Sequence, residues 1–318
     1  MRRNKFFLKP ANDYIWNQHE FVDFLIANQN QCITIDTSEE GVDLSSAGVY
    51  ELLEQFDYQD VEIVTNNLIE SHPNYQIKHR NPFKFFNVSQ VDYSKYHQWS
   101  KKKIFACLFN RPLWHRIGLA AEMQCNHKDQ SIINMRSDPN SIDQRSLFEL
   151  QKLFEYAPDS IVKFAQVKHS WPCRIESIDT YTVGNTTTGH TDQLAYFYLD
   201  FLIDIVAETW TQGSCFFPTE KTTRPMLLKK PMIVMGPKNY LEHLRQMGFR
   251  TFADFWDEDY DGYDNQDRYL KILALIDKLS SMSVTELEIM YWDMQYTLDH
   301  NYDLIIQQDY TQKIKSLN

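Results

Sequence analysis

Residues 206–261 read VAETWTQGSCFFPTEKTTRPMLLKKPMIVMGPKNYLEHLRQMGFRTFADFWDEDYD. Together with the apolar run that enters them from Phe201, they decide the fold. Residues 201–206 predict a strand, residues 220–228 a helix, and residues 231–235 a second strand closed by Gly236 and Pro237. Residues 238–247 predict another helix with Gly248 as its C-cap, since glycine takes up a left-handed backbone without a Cβ clash. Strand, helix, strand, helix in short alternation is the pattern of an α/β protein with a parallel sheet.

The alternation extends through the first half of the chain. Residues 32–35, 61–64, 104–109 and 131–134 predict strands, and residues 45–56, 111–123 and 146–156 predict helices. In the second of these helices Ile117, Leu119, Ala120 and Met123 are available for one buried face. Residues 180–192, TYTVGNTTTGHTD, are polar and turn-rich and predict a loop at the edge of a second domain. The last fifty residues are helical by pattern, and Leu287, Ile289, Met290, Trp292, Met294, Tyr296 and Leu298 suit them to core packing.

A chain of 318 residues exceeds one typical domain, which predicts two α/β domains of unequal size, each with its own core. Hydrophobic residues at 43% and aromatic residues at 14% fit a packed globular protein and not a disordered one. No apolar run approaches the roughly 20 residues that span a bilayer, and FFL near the start is too short for a signal-peptide core. The expected location is the cytoplasm, with no membrane span. The five cysteines are scattered without CxxC spacing, so they read as buried small hydrophobes and not as a disulfide framework or zinc site. A net charge of −11 repels polyanions and argues against nucleic acid as a partner, while leaving room for a nucleoside diphosphate in one basic pocket.

Thr219, Glu220 and Lys221 follow an apolar pair and a proline, where a helix N-terminus is expected. Free backbone N–H groups, the positive end of the helix dipole and a lysine in the first turn suit a diphosphate. Glutamate suits ribose or sugar hydroxyls, from which it accepts hydrogen bonds. The same residues also read as ordinary helix capping. Asp257 to Gly262 begin like a calcium-binding loop, but Arg268 stands where the twelfth position needs a bidentate Glu, so no calcium site is expected.

The run from Phe201 to Pro225, with its apolar strand, Glu208, short loop and Thr219-Glu220-Lys221, resembles the donor-site region of family-10 α1,3-fucosyltransferases and of related bacterial, phage and giant-virus glycosyltransferases. Those fucosyltransferases usually carry Glu-Asn at the first position and an aromatic before the Thr; here Glu208-Thr209 and Pro218 leave the sugar open. A second resemblance covers residues 101–123, KKKIFACLFNRPLWHRIGLAAEM, where Asn110 at a strand end is followed by Arg116 on the next helix. The resemblance implies that Glu220 holds the donor's ribose or sugar, that Lys221 and Arg116 meet its phosphates, and that Glu208 lies near the sugar. A guanidinium fork suits phosphate oxygens. Arg111 competes for that role, and Arg116 also reads as a solvated residue on an amphipathic helix.

What the resemblance implies is a GT-B-type α/β fold of two Rossmann-like domains with a C-terminal helical segment. Residues 1–175 form the acceptor side, 176–282 the nucleotide-sugar donor side, and 283–318 a helix packing back on the N-terminal domain. The implied function is transfer of a sugar from a GDP- or UDP-sugar to a glycan or other hydroxyl acceptor, with inversion, no membrane span and no required metal or other cofactor. Sugar transfer needs a base near the acceptor hydroxyl. In TIDTSEEGVDL, Glu39, Glu40 and Asp43 follow the first predicted strand, where α/β sheets present loops to a cleft. Glu40, with Asp43 beside it, is the candidate base, although acidic residues near a helix start also read as a polar loop. Two other classes stay open: a non-catalytic nucleotide- or glycan-binding protein, and a transferase acting on modified bases of viral DNA.

Overall fold

The computed structural model describes residues 3–9, 16–38, 41–80, 92–135, 144–173 and 194–307. Glu39, Glu40 and the predicted loop at 180–192 lie outside the described residues. The first sheet contains β1 (Asn4–Phe7), β2 (Ile33–Thr37), β3 (Val61–Thr65) and β4 (Gln76–His79), and the second contains β5 (Phe105–Phe109), β6 (Ser131–Met135), β7 (Ile203–Ala207) and β8 (Met232–Met235). Every pairing is parallel. The first sheet runs in the order β1-β2-β3-β4 and the second in the order β6-β5-β7-β8.

Helices α1 (Gln18–Ala27) and α2 (Val49–Gln55) connect the first three strands. In the second unit α3 (Trp114–Asn126) joins β5 to β6, α4 (Gln144–Tyr156) and α5 (Pro158–Val167) follow β6, and α6 (Glu220–Leu227) joins β7 to β8. The chain continues through α7 (Tyr240–Gln246), α8 (Asn265–Ser280), α9 (Val284–Asp293) and α10 (Gln295–Gln307). The fold is therefore α/β, two Rossmann-like units of GT-B-like arrangement followed by a helical C-terminal segment. Strands β7 (IDIVA) and β8 (MIVM) are buried throughout, as expected of parallel strands covered on both faces. Gly248 does end α7 with φ of 87°.

The two sheets divide the chain at a different place from the expected domain limit. The change of sheet falls between His79 and Phe105, not at 175, because β5 pairs with both β6 and β7. A local apolar pattern announces a strand but carries no record of its partner, and β7 lies far along the chain from β5. The last helices touch the segment before β5, where Lys101 pairs with Glu288 at 2.5 Å, as well as the second unit. Helix α10 lies against α6, and Asp299 pairs with Lys229 at 2.6 Å while Asn301 Nδ2 donates to Arg250 O at 2.8 Å. Tyr291 of α9 donates to His97 O, on the segment between the sheets.

Each sheet has its own apolar core, but the first core also includes Trp210 and Cys215 from the β7–α6 loop. The second unit thus lends two side chains to the first. Among the described residues, no helix is long and apolar enough to cross a membrane.

Candidate functional site

Strand order places the site. In the second sheet β5 and β7 are neighbours, yet β5 connects onward to β6 on one side and β7 to β8 on the other. Loops leaving two adjacent strands in opposite directions open a crevice beyond their C-terminal ends. Phe105 pairs with Ile203 and Ala106 with Asp204, and Asn110 and Glu208 directly follow the C-terminal ends of β5 and β7. Asn110 is exposed there.

Glu208 ends β7 and is 2% exposed. Its Oε1 accepts from Thr219 N at 3.2 Å, Thr222 Oγ1 at 2.7 Å and Tyr240 OH at 3.1 Å. Its Oε2 accepts from Thr219 Oγ1 at 2.7 Å and Lys221 Nζ at 3.4 Å. A buried carboxylate with this many donors is well stabilised, and it fixes the start of α6 to the end of β7. Thr219 is the N-cap of α6, its Oγ1 also accepting from Lys221 N at 3.2 Å. Glu208, expected near a donor sugar, holds the helix that bears Glu220 and Lys221.

Lys221 and Glu220 are the reachable charges. The Lys221 side chain is 21% exposed and that of Glu220 31%, and they pair at 3.4 Å. Burial works against the Glu220 charge, but Lys221 and Arg224 outweigh it and hold the carboxyl at about 2. At neutral pH the N-terminus of α6 therefore presents a carboxylate that only accepts hydrogen bonds beside an ammonium that only donates.

Arg116, expected to meet donor phosphates, is buried beneath the strand end. It is 2% exposed, and its Nε and Nη2 donate to Ala207 O at 3.1 and 2.8 Å. The side chain braces the end of β7 from beneath. Arg111, the competing candidate, is exposed at the strand end beside Asn110. His115 Nε2 lies 2.9 Å from Glu208 O, and burial, reinforced by the neighbouring Arg116 charge, keeps its pKa well below the usual histidine value. Asp43 accepts from Ser46 N at 3.0 Å, Ser46 Oγ at 2.7 Å and Ser214 N at 2.6 Å, so its carboxylate ties a first-unit turn to the β7–α6 loop.

No family model matches this chain, and no curated protein matches it. The arrangement of the crevice is thus the main guide to its chemistry.

Sequence reading missed Thr222 and Tyr240, which reach Glu208 from α6 and α7. The threonine pair in EKTT and the tyrosine after Asn239 gave no signal, because their convergence exists only once both helices pack. It also missed a buried group behind α6, in which Tyr198 donates to Asp204 and lies against Arg224. Burial pushes Asp204 up to about 6, against the pull of Tyr198 and Arg224. The acidic run after Trp256 serves the fold: Asp261 accepts from Leu241 N at 2.9 Å and Glu242 N at 3.0 Å, in the first turn of α7, and Glu258 accepts from Phe252 N at 2.7 Å. Among the described residues, no group of three or more His, Cys, Asp or Glu is placed to hold a metal ion.

On the first unit, the loops after β2 and β3 face the β7–α6 loop. Asp43, Glu51, Glu54, Glu70 and His72 with Ser214 line a cleft of about 380 Å³ there.

Proposed function

We propose that the chain is a cytoplasmic glycosyltransferase that takes a nucleotide-diphosphate sugar at the N-terminus of α6 and transfers the sugar to a hydroxyl acceptor held against the first unit. The observation that carries this reading is the position of Thr219-Glu220-Lys221 at the switch point of the second sheet, with the strand-end loops of the first sheet opposite. The resemblance to family-10 glycosyltransferases supports the same residues.

In the proposed reaction the acceptor oxygen attacks the anomeric carbon and its proton passes to a carboxylate base. The bond from that carbon to the diphosphate breaks, and the nucleoside diphosphate leaves with the electron pair. Lys221 and the helix N-terminus stabilise the leaving charge, a role that can be filled without a metal. Glu220 accepts from hydroxyls of the ribose or sugar, Asn110 and Arg111 flank the donor from the end of β5, and Glu208 and Arg116 position the frame. Glu40 is the proposed base. The acidic cleft on the first unit favours neutral or cationic acceptors over anionic ones.

The engagement of Asp43 in the contact between units favours a second reading, in which the donor pocket binds without turnover. A thermal-shift series with GDP, UDP, ADP and CMP and their common sugar conjugates tests donor binding, since a ligand of the folded state raises Tm by mass action. A rise with one nucleotide, followed by release of that nucleotide from its sugar conjugate by wild-type protein but not by Glu40→Gln, supports the enzyme. Binding without release supports the second reading, and no shift with any of them overturns both.

A further inference from the structure

Ser214 and Phe216 belong to the loop between β7 and α6, yet all four of their backbone polar groups are taken by the first unit. Ser214 N donates to Asp43 Oδ2 at 2.6 Å, and Ser214 O accepts from Asn67 Nδ2 at 3.0 Å. Phe216 N donates to Asn67 Oδ1 at 2.8 Å, and Phe216 O accepts from Leu68 N at 2.9 Å. The first unit thus reads alternate residues of this loop as a neighbouring strand would.

Asn67 is central to this recognition. It is fully buried, its Nδ2 also donates to Glu70 Oε2 at 2.9 Å, and its Oδ1 faces the Phe216 N–H. Only this orientation of the amide matches donors to acceptors on both sides. Cys215 Sγ approaches Gly41 O at 3.3 Å, and a Cβ on Gly41 would overlap the Phe217 side chain. Beyond Phe217 the ring of Pro218 restricts the backbone, and the next residue is Thr219, the cap of α6.

We infer that Asn67 is a positioning residue for the diphosphate site: the first unit, through the Asn67 carboxamide, sets the path of residues 214–218 and with it the geometry of the α6 N-terminus. The inference rests on the reading of that N-terminus as the donor site. Glu208 anchors the helix from the second sheet, and Asn67 anchors the loop that enters it from the first. Removing Asn67 leaves Glu208 in place but releases the loop, so the site forms less of the time and binds its ligand more weakly.

The test compares wild type, Asn67→Ala, Asn67→Asp and Tyr58→Phe. Asn67→Asp keeps an acceptor for Phe216 N–H but loses the donor to Ser214 O and sets a second carboxylate against Glu70. Tyr58→Phe removes a bond to Leu25 O in the first core, away from the loop. Hydrogen exchange of residues 214–222 without ligand reads the clasp, and titration with GDP and UDP reads the site. The expected result for Asn67→Ala is faster exchange confined to 214–222 and Kd raised about tenfold, with Asn67→Asp affected at least as strongly. Tyr58→Phe is expected to lower Tm without changing Kd. If neither Asn67 variant folds, Asn67→Ser, which keeps one hydroxyl for the loop, decides by the same two readouts. Unchanged exchange at 214–222, or unchanged Kd in a variant whose wild type binds, overturns the inference and leaves the donor site standing. Wild-type protein that binds neither GDP nor UDP overturns the diphosphate reading, while the exchange result still decides the clasp.

Discussion

The two sheets have the same number of strands in the same sense, and they differ in order. The first advances steadily, β1-β2-β3-β4, so no neighbouring pair sends its connections in opposite directions; the second places β5 between β6 and β7 and has one such pair. Individual strands differ as well, although β2 of the first sheet is buried throughout. Strand β4 is exposed or half-buried along its length, whereas β7 and β8 are buried throughout. One sheet is a ledge that supplies loops, and the other holds a crevice and the charges of the candidate site.

That contrast can be broken most forcefully at Glu208. Glu208→Ala leaves Thr219, Thr222, Tyr240 and Lys221 without their common acceptor, and the expected loss is about 4 kcal/mol in urea unfolding. A loss below about 1 kcal/mol would mean that the start of α6 is held by something else.

A central-strand aspartate in each sheet gives the opposite sign in pH. Burial raises Asp204 of β7 to about 6, so the folded state holds its proton between the unfolded value and that pH, and stability falls as pH rises through this window. Asp204→Asn should flatten a slope of about 2–3 kcal/mol between pH 4 and 6. Asp36 of β2 is also buried, but Lys5 at 2.6 Å, Ser38 and Arg80 outweigh the burial and lower its pKa. Its stabilisation is present above the unfolded carboxyl value and is lost as pH falls below it, so Asp36→Asn should weaken the protein at neutral pH and blunt the acid limb. Equal pH profiles for the two variants would remove the distinction between the sheets.

Gly41→Ala addresses the contact between the units. Because the added methyl would overlap Phe217, the expected cost is about 2 kcal/mol, read as a lower Tm with faster exchange at residues 214–217. The smallest effect on stability is expected for Lys221→Ala, under about 1 kcal/mol, since its ion pairs are partly solvated. Diphosphate binding should nonetheless fall well below that of wild type.

Much of this architecture was legible in the sequence. Strands β2, β3 and β5 to β8 announce themselves as short apolar runs, and α6 and α7 by their cap residues and the closing Gly248. Strands β1 and β4 did not, because NKFF and QIKH are edge segments with exposed polar positions and too little apolar content to mark a strand. The sheet boundary was illegible for a different reason: β5 looks the same whether it pairs with β3 or with β7, and only long-range packing decides. Thr219, Glu220 and Lys221 stand at a helix start, as their capping pattern indicates. Arg116 and Glu208 were also singled out, but spacing did not reveal their burial or the bonds they make to Ala207 O and to the start of α6. Asn67 carried no signal at all, since its partners are backbone groups of a loop in the other unit.

The central claim is that the N-terminus of α6, at the switch point of the second sheet, is where a nucleoside diphosphate binds. Hydrogen exchange across the whole chain, with and without saturating GDP or UDP, tests it most directly. New protection is expected at residues 219–222 and at the end of β5 near Asn110, with the ends of β1 and β4 unchanged. Protection centred on the first sheet, or none at residues 219–222 under saturating ligand, would contradict it.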